Sequence, residues 1–418
     1  MNQPSAASAA SEASEASEAS AVRDPLEGIR VIDMTSMGMG PLAGQILGDF
    51  GADVIKLEPT AGDVFRHNVP QKSHGMAHTV IQFNRNKRSL ALDLKDAAGM
   101  AAFRRLLATA DVLLSNLRPQ ALRGIGLDFG MMRAIKPDLI FARAYGYSER
   151  GPYAGRPAAD DAIQAMSGLV GLQQMMTGKP DLVANVIADK VIGQSLANAV
   201  LGALIYRMRT GKGQEIEVPM FETMTAFVMM EHVAGLSFEP PLGPPVYSRA
   251  VNPHRKPYRT QDGYLVVLPY TTPQWTRFFR LIGRPDLAED PELQDPVVRS
   301  ARYLELYGVI EAAMPARSTA EWVAALLEND IIFGVVNSPE DIFRDPHLNA
   351  LEMFPLVEHP TEGTLRLLGF PVSFSESPQR LRHPPPRIGA HNHEILAELG
   401  YGAAEISQME AAGTIASR

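Results

Sequence analysis

The chain has 418 residues, 45% of them hydrophobic and 21% charged, the balance of a folded globular protein with room for two or three domains. A net charge of −8 leaves no surplus of Lys and Arg for a phosphate backbone, so no nucleic-acid partner is expected and an anionic ligand must meet a local basic pocket. The absence of cysteine excludes disulfides, thiolate metal sites and a Cys nucleophile, and a reducing cytoplasm is the expected setting.

Residues 2–21 are an Ala/Ser/Glu tract without the basic start and apolar run of a secretory signal, so 1–23 is expected to be a disordered tail. From Ile29 to Tyr147 short β-branched runs alternate with helical stretches. Ile29–Met34, Asp53–Leu57, Ser89–Leu94, Asp111–Leu114 and Leu139–Ala144 read as strands, and Ala97–Ala110 as a crossover helix. Such alternation predicts an α/β fold: a Rossmann-like large domain built on a parallel sheet.

Lys190–Arg209 reads as a long helix stopped at Gly211, followed by a strand at Gln214–Val218. Its most apolar part, near Leu196–Met208, falls short of the ~20 residues that cross a bilayer, so no membrane span is expected. The Pro- and Gly-rich stretch 236–258 marks a boundary. The expected division is a large domain at 24–235, a smaller α+β domain at 236–335, and a C-terminal segment, 336–418, returning to the large one. Within these, a strand is expected at Tyr264–Leu268 and helices at Gln274–Ile282, Ala301–Ala313, Thr319–Asn329 and His393–Leu399.

Three groups of residues are suited to chemistry. Gly38-Met39-Gly40-Pro41 follows a strand, with Glu58 at the end of the next one. That pattern fits a phosphate on a helix N-terminus with Glu58 on a ribose, or simply a tight turn. The cations of Asn84-Arg85-Asn86-Lys87-Arg88, then Lys95 and Arg118, are suited to phosphates or to a solvated face. Asp189 stands where an extended segment meets the long helix, as a cap, or as a carboxylate made reactive there, or both. His391-Asn392-His393 lacks a third ligand and reads as surface chain; no metal site is expected. G-x-S-x-G, P-loop and H-E-x-x-H motifs are absent.

Five ordered segments together resemble the class III CoA-transferase family, which includes formyl-CoA and carnitine CoA-transferases and the related alpha-methylacyl-CoA racemases. They are 25–33 (PLEGIRVID), 51–59 (GADVIKLEP), 84–95, Arg156-Pro157 with Asp160, and 209–214 (RTGKGQ). The resemblance implies an interlocked homodimer. It also implies coenzyme A as substrate, with no tightly bound cofactor, at Gly38, Met39, Leu92, Lys95, Asn116, Leu117, Arg118, Ala159 and Asp160. Asp189 falls on the family's catalytic aspartate, which attacks an acyl-CoA and passes through an aspartyl anhydride and an aspartyl-CoA thioester to a carboxylic acid acceptor. The racemase branch needs proton-transfer groups at positions that are Ala159 and Thr272 here, which favours transfer over racemisation. The family's glutamine in the first turn is Gly38, and the glycine-rich loop of the formyl-CoA enzymes is missing, which turns the expectation away from formyl and oxalyl substrates. In place of that loop, 246–258 carries Arg249, His254, Arg255 and Lys256, suited to an extra acceptor carboxylate or to a solvated loop. An acyl-CoA racemase, an NAD-dependent oxidoreductase and a CoA-binding protein without turnover remain the alternatives.

Overall fold

The structure, a computed structural model, describes residues 24–417, so the expected N-terminal tail lies outside the described residues. The chain divides into two compact units. The first takes the described residues up to Ile163, then Val186–Met224 and Glu352 onward; the second takes Gln164–Asn185 and Thr225–Leu351. Gln164–Asn185, inside the stretch expected as large domain, thus belongs to the second unit.

The first unit holds a six-stranded parallel sheet: β1 (Arg30–Met34), β2 (Asp53–Glu58), β3 (Lys87–Ala91), β4 (Val112–Ser115), β5 (Ile140–Tyr145) and β6 (Glu215–Pro219). Their order is β3-β2-β1-β4-β5-β6. That is the doubly wound arrangement, and the reversal of strand order between β1 and β4 opens a crevice at the carboxyl ends of the strands. The central strands are buried along almost their full length, as a parallel sheet covered on both faces requires. Ile32, Ile55, Leu90 and Leu113 pack with Phe103, Leu106 and Leu107 of the helix Ala97–Thr109. The C-terminal helices Asn392–Glu398 and Ala403–Ala411 add Ile395, Leu396, Ile406 and Met409 to the same core.

β3 starts two residues before its expected place. The sequence there reads as phosphate-binding cations or a solvated face, but Lys87 and Arg88 are buried strand residues, tolerated there because acids meet them. Lys87 Nζ lies 2.7 Å from Asp33 Oδ2 of β1, both side chains fully buried, and Arg88 pairs with Asp53, Glu394 and Glu398.

The helix Ile187–Thr210 is longer than expected and, by length and composition, long enough to cross a bilayer. In this unit one side of it packs into the core. Ile192, Leu196, Val200 and Leu204 are buried, Arg207 pairs with Asp111, and the helix lies against Met39–Asp49. The approach is close at Gly193, where a Cβ would stand 2.6 Å from the Met39 carbonyl oxygen. It ends at Gly211 with φ 69°, as the sequence predicts.

The second unit has a three-stranded antiparallel sheet of β7 (Tyr258–Arg259), β8 (Tyr264–Leu268) and β9 (Ile332–Val335). Helices Thr272–Leu281, Tyr303–Ala313 and Thr319–Glu328 cover it with Trp275, Phe278, Phe279, Tyr307 and Trp322. A hairpin of β10 (Leu356–His359) and β11 (Gly363–Arg366) belongs to the first unit.

Candidate active site

Two cavities of the first unit share Ser36, in the loop that follows β1. One, of about 460 Å³, is walled by the ends of β1 and β2 and by Leu92, Lys95 and Leu117. The other, of about 230 Å³, is walled by Met37, Gly38, Met39, Phe65, Asn116, Ala159, Asp160, Asp189 and Met220. Of the nine residues expected to meet coenzyme A, the structure gathers eight around this loop. Arg118 lines neither cavity; it is exposed and precedes the helix Pro119–Gly124.

The loop is held in an unusual shape. Met37 has φ 67°, a left-handed conformation that costs a non-glycine residue free energy and persists only where neighbours enforce it. The neighbours are polar. Asn116 donates from Nδ2 to the Ser36 carbonyl at 2.7 Å and accepts from Ser36 N–H at 3.0 Å, so its amide clamps the loop. Asp63 accepts from Met37 N–H at 3.1 Å and is itself paired with buried Lys56 at 2.8 Å. Sequence reasoning marked Asn116 as a ligand contact and missed both this clamping role and the Lys56–Asp63 pair; two buried charges on neighbouring segments leave no local pattern to find.

Asp189 is not the cap of its helix. Val186 holds that position, and Asp189 is the third helical residue, in the first turn. Its carboxylate accepts no hydrogen bond and pairs with no cation among the described residues. Its backbone N–H donates to Oδ1 of buried Asp160 at 3.0 Å. Burial, and after it the charge of Asp160, push the Asp189 carboxyl up to about 6. The helix N-terminus at its back works the other way, favouring the anion. Above pH 6 this group is an ionised, poorly solvated carboxylate, the state in which oxygen is most nucleophilic. Gly38 faces it without a side chain, since a Cβ at Gly38 would collide with Asp189 Oδ2.

Other candidates find different employment. Arg85 is bound by Asp49 and the Leu368 carbonyl, and Lys87 and Arg88 by the acids named above, so this cluster is internal structure rather than a phosphate site. Glu58 is closed off by Arg66 at 2.6 Å and Ser89 at 2.8 Å, which removes the ribose contact a dinucleotide would need. His391-Asn392-His393 is not simply surface: Asn392 is fully buried and accepts from Ala91 N–H at 2.9 Å, tying the C-terminal segment to β3. No cluster of three or more His, Cys, Asp or Glu suited to a metal occurs among the described residues.

Comparison with known proteins agrees with this geometry. Over 385 residues the chain is 32% identical to the probable fatty acyl-CoA transferase Rv3272 of Mycobacterium tuberculosis, spanning 89% of this chain and 98% of that protein. It is 31% identical over 387 residues to the succinate–glutarate CoA-transferase of Agrobacterium fabrum, spanning 90% and 96%. The crystal structure of Rv3272 superposes with a TM-score of 0.77 at 30% identity, over 90% of this chain and 99% of that one. The model of CoA-transferase family III matches residues 26–392, from the turn before β1 into the helix that buries Asn392, and the chain belongs to that family.

Proposed function

We propose that Asp189 is the nucleophile of a CoA transfer between an acyl-CoA and a carboxylic acid. The observation that carries this reading is a carboxylate with a raised pKa, unpaired among the described residues, lining a cavity at a helix start. An Asp189 oxygen attacks the thioester carbonyl, and the C–S bond breaks to release the CoA thiolate and leave an acyl–aspartyl anhydride. The thiolate then attacks the aspartyl carbonyl, expelling the donor acid and leaving an aspartyl-CoA thioester. The acceptor carboxylate attacks that carbonyl, re-forming an anhydride and the thiolate, and the thiolate takes the new acyl group. Each step exchanges one oxygen or sulfur nucleophile for another, so no proton-transfer residue is required. Ala159, beside Asp189 in the cavity wall, has no group to exchange a proton with an α-carbon, which speaks against racemisation.

Leu92, Lys95 and Leu117 line the larger cavity, which we assign to the CoA moiety, with Lys95 meeting phosphates at its exposed edge and Arg118 outside it, exposed beside Leu117. Relatives named for succinate and glutarate support small dicarboxylic acids as first candidates for acceptor. We also propose a homodimer: Ile205 and Met208 on the helix Ile187–Thr210 are large apolar side chains left exposed. Light scattering of the purified protein tests the dimer.

The test of mechanism is to incubate the enzyme with succinyl-CoA and hydroxylamine and locate the modification by mass spectrometry. A hydroxamate at Asp189 is expected, and full transfer by Asp189→Asn would overturn the assignment. A screen of carboxylic acids with succinyl-CoA as donor identifies the acceptor.

A further inference from the structure

The stretch 246–258 of the second unit holds Arg249, His254, Arg255 and Lys256, which the sequence leaves undifferentiated. The structure separates them. His254 Nδ1 and Lys256 Nζ meet the carboxylate of Glu311 at 2.5 and 2.7 Å. Arg255 is exposed, with its guanidinium 3.5 Å from the Ala250 carbonyl. Arg249 is half-buried, and among the described residues no carboxylate pairs with it.

Its neighbours are aromatic. Nε donates to the hydroxyl of buried Tyr307 at 2.7 Å, and Cζ stands 5.5 and 5.8 Å from the ring centres of Tyr270 and Tyr303. Tyr303 and Tyr307 are stacked on each other at 5.4 Å. The rings fix the guanidinium plane and favour its charge without neutralising it. A fixed, partly desolvated cation lacking an anion is a prepared binding element.

The cavity that Arg249 lines measures about 390 Å³, with apolar walls at Val246, Val251 and Leu304 and hydroxyls at Ser248 and Ser300. We propose that this cavity binds a small organic carboxylate, its oxygens on Arg249 and its apolar body against Val246, Val251 and Leu304. One cation matches one negative charge, whereas a phosphate dianion would be left half-compensated. The apolar walls reward a hydrocarbon or aryl body, which an inorganic anion lacks. Nothing in this assignment depends on the chemistry of Asp189.

The test is a fluorine NMR titration of the full chain with 4-(trifluoromethyl)benzoate and, as neutral isostere, its primary amide. The carboxylate is expected to bind one per chain and at least tenfold tighter than the amide. Arg249→Gln should bring the carboxylate down to the affinity of the amide. Ser300→Trp, which fills the cavity and leaves Arg249 and its tyrosines in place, should abolish binding of both. Equal binding of acid and amide, unchanged binding in both variants, loss that follows Asp189→Asn instead, or equal displacement by inorganic phosphate would each overturn the proposal.

Discussion

The backbone N–H of Asp189 donates to Oδ1 of Asp160 at 3.0 Å, which ties the Asp160 carboxylate to the first turn of the helix that carries Asp189. Asp160 thereby fixes the first turn of the helix Ile187–Thr210 and at the same time opposes the ionisation of Asp189.

That pairing fixes a pH dependence. As the proposed nucleophile, Asp189 attacks only when ionised, so transfer should fall as pH drops through about 6, the value to which burial and Asp160 raise it. Asp160→Asn keeps an oxygen acceptor for the N–H but removes the charge. The acidic limb of kcat/KM should then move to lower pH, with the plateau retained within a few-fold. A profile between pH 4.5 and 8 that leaves the limb in place would assign the shift to burial alone.

The same shift has a stability consequence of opposite sense from that of a paired carboxylate. The folded pKa, about 6, lies above the ordinary aspartate value of 3.8, so the folded state binds the proton more tightly. Stability from this group is fully present below 3.8 and is lost as pH rises through 6. At pH 7.5 the ionised Asp189 costs folding about 2–3 kcal/mol, the equivalent of its raised pKa. Asp189→Asn should therefore unfold at a higher temperature than the native chain at pH 7.5, and the difference should shrink towards pH 4. A lower midpoint at pH 7.5 would contradict the electrostatic picture.

Much of this was readable in the sequence, and the failures share one cause. The sheet, its helices and the position of Asp189 announce themselves through local periodicity and motif spacing, so Tyr264–Leu268 falls on β8 residue for residue. Charged residues were misread because their partners are remote. Arg88 closes on Glu394 and Glu398, about three hundred residues later, and Lys87 on Asp33, 54 residues earlier in the chain. No window of sequence shows that a cation is already neutralised. Asn116 stands at the site as expected, but its clamp on Ser36 is not legible in the sequence, because an amide that holds a loop and one that only touches a ligand look alike in one dimension.

Gly38 is the residue that stands directly against the Asp189 carboxylate. An alanine methyl there collides with Asp189 Oδ2, so the carboxylate must rotate away from the cavity or the loop must shift. Gly38→Ala should lower kcat by about tenfold or more, since a displacement near 1 Å costs on that scale, with a much smaller change in KM for acyl-CoA. A variant with native kcat would show that the Asp189 rotamer is not constrained by this contact.

Lys95 is exposed at the rim of the larger cavity, where a phosphate contact is screened by solvent. Exposed ion pairs contribute about 1 kcal/mol or less, so Lys95→Ala should weaken CoA binding by roughly fivefold at most, leave kcat unchanged and flatten the salt dependence of binding. Calorimetric titration at two salt concentrations measures both quantities. An unchanged salt dependence would place the CoA phosphates elsewhere.

Beneath the site, Lys87 and Asp33 form a fully buried pair, and Gly44 makes the room for it, since a Cβ there would stand 2.6 Å from Asp33 Oδ2. Asp33 also holds Thr35 through that residue's N–H and hydroxyl, so the pair anchors the start of the loop that carries Gly38. Removing one partner strands the other charge in the sheet, and Lys87→Met should destabilise the first unit by about 3–5 kcal/mol. The double variant Asp33→Leu/Lys87→Met restores a neutral interior and should recover most of that loss in denaturant unfolding. It should still transfer CoA poorly, because Thr35 has lost its acceptor. Full recovery of both stability and turnover would show that the pair fills space without shaping the loop. A double variant less stable than either single one would mean that packing, rather than the stranded charge, sets the cost.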